Sequence, residues 1–172
     1  MAVELTGTTG ALSGLRVLDL TGRMGGYCGL LFANLGAEVI LIEPVGGDPM
    51  RREGPFKITT AHPEQSLSFA AYHTNKRGIV LDLAAEQGRE TLRQLVRHAD
   101  VLIEDKPVGY LDRLGLGFAA LQAVNPTLIV TSISGFGHGG RLAMAGALRH
   151  FAGDTVARDD AQERIGDQDI LL

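Results

Sequence analysis

Five short β-type runs punctuate this chain: Arg16–Leu20, Val39–Glu43, Gly78–Leu83, Val101–Glu104 and Leu128–Ser134. Helical segments fall between them. Tyr27–Leu35 is apolar and stops naturally at Gly36. Ala84–His98 carries Leu92, Leu95, Val96 and Ala99 on one face, with Glu86, Arg89, Glu90, Arg93 and Arg97 outside. Shorter helical turns fit Leu111–Leu114 and Phe118–Val124. Strands that alternate with helices predict a parallel sheet joined by crossovers. The fold class is α/β, Rossmann-like, with ligands expected at the carboxyl ends of the strands.

At 172 residues the chain fits one domain, which at that size buries roughly 70% of its unfolded surface. The net charge of -4 argues against a nucleic-acid partner, so a small anionic ligand would need local cations. The single Cys28 rules out an internal disulfide and suits a reducing compartment. The first 14 residues lack the pattern of a secretory signal, and no apolar run approaches membrane-spanning length. The expectation is a cytoplasmic protein with no membrane contact. Residues 1–13 read as a flexible start. Residues 141–172 read as a divergent polar tail that ends on Leu171-Leu172, as though material were missing.

Several segments are candidates for ligand contact. Asn75-Lys76-Arg77 runs directly into the third strand and suggests a cationic wall for a phosphate. The turn Thr21-Gly22-Arg23-Met24-Gly25-Gly26 sits where a dinucleotide fingerprint would sit, but its spacing is not G-x-G-x-x-G. Glu43 would suit a ribose hydroxyl in a dinucleotide site. The alternative is a tight turn without a ligand. Arg51 and Arg52 lie in a long loop over 45–66, and such loops are usually functional. Arg113 could pair with phosphate oxygens, or with Asp112 or Asp105. Ser134-Gly135-Phe136-Gly137 could admit a ligand to the backbone, or Phe136 could plug the core. The five histidines (62, 73, 98, 138 and 150) show no metal spacing, so no metal is expected.

Read in order, Val17-Leu18-Asp19-Leu20-Thr21, the Gly36–Pro44 segment, Asn75–Leu83, Leu111–Gly115 and Asn125-Pro126 through Gly137 resemble the N-terminal part of the family III CoA-transferases. That group includes formyl-CoA and carnitine CoA-transferases and α-methylacyl-CoA racemases. The resemblance covers about Leu12 to Gly137. It makes 14–140 a CoA-binding region, and implies CoA contacts at Met24 and Gly25, at Leu81, Asp82 and Leu83, at Asp105 and Lys106, at Arg113, and at Ser134, Gly135, Phe136 and Gly137. It also implies an interlocked homodimer or a complementary subunit.

The implied reaction moves CoA from an acyl-CoA thioester to a small carboxylic acid through an aspartyl anhydride. Counting back from Arg164-Ile165-Gly166 puts the nucleophile at Asp159, and counting forward from Ser134 puts it nearer Asp167. The family's Asn-Phe after the fourth strand is replaced by Asp105-Lys106, which brings a negative charge to a phosphate-rich ligand. Gly146-Ala147-Leu148 stands where racemases carry Gly-His-Asp, which favours transfer over racemisation. The implied whole is an incomplete or inactive transferase fragment. The competing expectations are a non-catalytic module that binds a nucleotide or a subunit, and an NAD-dependent enzyme.

Overall fold

The computed structural model describes residues 10–57 and 62–138. Five parallel strands form one sheet: β1 (Arg16–Leu20), β2 (Glu38–Glu43), β3 (Arg77–Val80), β4 (Val101–Glu104) and β5 (Ile129–Ser132), in the order β3-β2-β1-β4-β5. The α-helices are α1 (Gly26–Asn34), α2 (Leu67–His73), α3 (Glu86–Val96), α4 (Tyr110–Arg113) and α5 (Phe118–Val124). This is the α/β, Rossmann-like class that the alternating pattern predicts. The chain divides into two units, Met1–Ile133 and Ser134–Leu172, and the whole sheet belongs to the first.

The sheet is covered on both faces because successive side chains point to opposite sides of a strand. Leu18, Leu20, Ile42 and Leu102 pack with Leu92, Val96, Leu111 and Leu121 from α3, α4 and α5. Val17, Val39, Val101 and Ile103 form a second cluster, joined by Cys28, Phe32 and Ala33 of α1. The two central strands are therefore apolar almost throughout, as expected where neither face meets water. Asp19 in β1 and Glu104 at the end of β4 are buried carboxylates within this apolar setting, Asp19 fully so.

The structure departs from the sequence reading in the 45–66 region and at the strand ends, where β3 stops at Val80 rather than Leu83 and β5 at Ser132 rather than Ser134. The 45–66 loop contains two 3-10 turns, Pro49–Arg52 and Pro63–Gln65, and α2 follows it unanticipated. Ser66 caps α2 by accepting the Phe69 N–H at 3.1 Å, and its hydroxyl also bonds the carbonyls of Met50 and Glu53 at 2.7 and 2.6 Å. One serine thus starts the helix and fastens the loop.

Asn125 performs a similar task between α3 and β5. Its buried amide donates to the carbonyls of Val96 and Ala99, at 2.9 and 2.8 Å, while its Oδ1 accepts from Thr127. Removing that amide strands two buried acceptors at the end of α3. Asn125→Ala is expected to destabilise the protein by about 2–4 kcal/mol, read as a lower urea midpoint at an unchanged slope.

Candidate functional site

The strand order reverses direction between β1 and β4. In an open α/β sheet such a switch point opens a crevice beyond the carboxyl ends of the strands. The turn after β1, Thr21 to Gly25, meets Asp105 and Lys106 after β4 at this place. The Asp105 carboxylate accepts from the N–H groups of Gly22 and Gly25 at 2.8 and 3.2 Å. Gly25 is the N-cap residue of α1 and has no side chain to cap with, so Asp105 supplies the anion that a helix start favours. Lys106 Nζ lies 3.6 Å from the same carboxyl group, and the Lys106 N–H donates to Glu104.

Beneath the turn lies a buried polar cluster. Lys76 Nζ pairs with Asp19 at 2.7 Å, both side chains being almost wholly enclosed, and also donates to the Gly26 carbonyl at 2.8 Å. The other oxygen of Asp19 accepts from the Thr21 N–H and hydroxyl at 2.9 and 2.6 Å. Helix α1 can approach this cluster only because it presents glycine. A Cβ at Gly29 would stand 2.1 Å from Asp19 Oδ2, and one at Gly25 would stand 2.4 Å from the Thr21 methyl. The defective fingerprint spacing therefore has a structural cause: these glycines make room for buried side chains.

His73, at the end of α2, has its Nδ1 3.0 Å from Lys76 Nζ. Burial first, and then the Lys76 charge, push its pKa from 6.5 down to about 4. Beside it, Arg51 grips Glu43 with two hydrogen bonds at 2.6 and 2.8 Å and stacks 3.8 Å above the Phe69 ring. Those hydrogen bonds hold the Glu43 carboxyl below its ordinary range. Asp48 also donates its N–H to Glu43 and accepts from Met50, and burial pushes its own carboxyl up.

Several expectations are corrected here. Lys76 is no phosphate wall, because its ammonium is spent on Asp19 inside the protein. Arg77 opens β3 and pairs with Glu38, the first residue of β2, away from the carboxyl edge. Glu43 is held by Arg51 and Asp48 rather than free for a ribose. Arg52 bonds the Gly46 carbonyl.

Other site residues sit as follows. Met24 is half-buried in the glycine turn. Leu81 and Leu83 continue from the carboxyl end of β3 and are half-buried, while Asp82 is exposed and bonds the Ala84 N–H. Arg113 is exposed at the end of α4 and makes no ion pair with Asp112 or Asp105 among the described residues. In the second unit Ser134 is half-buried, and Gly135, Phe136 and Gly137 are exposed. Asp159 and Asp167 lie outside the described residues. Among the described residues no group of His, Cys, Asp or Glu could hold a metal, and no helix is long and apolar enough to cross a membrane.

The sequence model of CoA-transferase family III matches residues 12–153, and the chain belongs to that family. It is 44% identical over 131 residues to a subunit of succinyl-CoA:(R)-benzylsuccinate CoA-transferase from Thauera aromatica, covering 76% of this chain and 32% of that protein. It is 43% identical to succinate–glutarate CoA-transferase from Agrobacterium fabrum, with 77% and 34% covered. The crystal structure of a CAIB/BAIF family protein from Brucella suis superposes with a TM-score of 0.74 at 40% identity, covering 80% of this chain and 36% of that one. The chain thus spans about a third of the length of these relatives.

Two measurements check the buried cluster. Lys76→Met leaves Asp19 charged and unpaired, so a loss of about 3–5 kcal/mol is expected. The double variant with Asp19→Asn should cost less than the two singles added together, as a denaturation cycle would report. His73 gives a pH signature. Its folded pKa is depressed, so between pH 6.5 and about 4 the unfolded chain binds a proton that the folded chain refuses. Stability should therefore fall as pH drops through that window, by on the order of 1 kcal/mol per pH unit. His73→Gln should lose this part of the slope.

Proposed function

We propose that this chain supplies the CoA-binding part of a family III CoA-transferase. The crevice at the carboxyl ends of β1 and β4 would receive the ligand. The observation that carries the proposal is the meeting of the glycine turn with Asp105-Lys106 at the strand-order reversal, in a chain of this family. Met24 and Gly25 would face the ligand on one side, Lys106 and Arg113, which has no ion pair among the described residues, on the other, with Leu81, Asp82 and Leu83 at the neighbouring strand end. Arg113 would bind phosphate oxygens with its paired N–H groups.

The reaction proposed is transfer of CoA from an acyl-CoA thioester to a free carboxylic acid. The relatives' names point to dicarboxylic acyl donors such as succinyl-CoA. A carboxylate oxygen would attack the thioester carbonyl carbon and the C–S bond would break, so that CoA leaves as the thiolate and a mixed anhydride remains on the protein. The thiolate would then attack the protein's side of the anhydride, releasing the donor acid, and the acceptor carboxylate would take CoA from the resulting thioester through a second anhydride. Asp19, Glu43, Asp48 and Asp105 are each committed to N–H or cationic partners. By the family resemblance the nucleophile would be Asp159, with Asp167 as the alternative position. A complementary subunit would fit the naming of two relatives as subunits.

Titration calorimetry with CoA, acetyl-CoA and NAD tests the ligand. CoA should bind and NAD should not, and Arg113→Ala should weaken CoA binding by about 1.5–3 kcal/mol. NAD binding without a CoA signal would overturn the reading and favour a dinucleotide module. An assay with succinyl-CoA and a free acid, with Asp159→Ala alongside, tests the chemistry.

A further inference from the structure

We propose that Asp105 is a specificity residue that keeps phosphate off the first βα turn. This goes beyond the CoA-transfer reading and does not depend on it. In a Rossmann-like sheet the N–H groups of this turn and the start of the next helix form a ready anion site, used elsewhere for a dinucleotide's diphosphate. Here that site already holds an anion. Asp105 Oδ2 lies 2.8 Å from the Gly22 nitrogen and 3.2 Å from the Gly25 nitrogen, at the N-terminus of α1.

The surroundings reinforce the exclusion. A Cβ placed on Gly22 would lie 3.4 Å from Asp48 Oδ2 and 3.9 Å from Asp105 Oδ2, so a second carboxylate stands beside the Gly22 residue. Asp48 is buried and anchored by the Met50 N–H. The cation nearest to Asp105 is Lys106, at 3.6 Å. A diphosphate arriving on the turn would have to displace Asp105 from both N–H groups, with the Asp48 carboxylate close by. Ligands that seat a diphosphate on these amides are rejected, whereas a ligand whose phosphates lie elsewhere in the crevice is tolerated.

The test uses inorganic pyrophosphate as the probe, followed on the backbone amide resonances of Gly22 and Gly25 in the full chain. In the native protein these two amides should not move with millimolar pyrophosphate. Asp105→Ala should bind it at least tenfold more tightly, with both amides shifting. Asp105→Asn keeps the acceptor oxygen without the charge, so it should gain a smaller but measurable affinity on the same two amides. It carries the test if the alanine variant does not fold. Shifts at Gly22 and Gly25 in the native protein would overturn the proposal, as would the absence of any gain in a folded Asp105 variant.

Discussion

The ion pair between Lys76 and Asp19 holds together the parts of the fold that meet at the crevice. Asp19 belongs to the central strand β1, and Lys76 arrives just before the edge strand β3. Their contact therefore spans the sheet beneath α1. A buried charge pair is weak evidence for stability in itself, because desolvation opposes the attraction. Its effect here is geometric. Lys76 also binds the Gly26 carbonyl, and Asp19 also binds Thr21, so both ends of the glycine turn are tied to one buried cluster.

A second layer of polar contacts closes over the neighbouring strand end. Glu43 terminates β2 and draws in Arg51, whose guanidinium stacks on Phe69 of α2, while Ser66 pins the same loop to its own helix. The long loop is thereby folded back onto the carboxyl edge of the sheet. Arg51 is a structural cation.

The architecture was legible because its pattern is local. β1 and β4 have the bounds that the apolar runs predict, and the helix that crosses from β3 to β4 shows its apolar stripe in the sequence. The site was less legible, because its partners are far apart along the chain. Lys76 beside a strand looks like a surface cation until it is matched with a carboxylate 57 residues away. The signal lies in β1, where Asp19 interrupts the apolar run that follows Arg16 and so demands a buried partner. Helix α2 was missed because the Pro and Gly residues before it made the whole segment look like loop, although Ser66 ahead of Leu-Ser-Phe is a fair N-cap. The negative charge of Asp105 is plain in the sequence, but its partners are not, since they are the backbone amides of Gly22 and Gly25.

The close seat of Gly29 on Asp19 has a consequence for how this sequence can change. A Cβ at position 29 would stand 2.1 Å from Asp19 Oδ2 and 2.9 Å from Lys76 Nζ, so any side chain there forces the buried ion pair to move. The three positions are therefore physically coupled. A lineage that drifts at any of them must revise all three or abandon the tight approach of α1 to the sheet, so they should vary together or hardly vary at all.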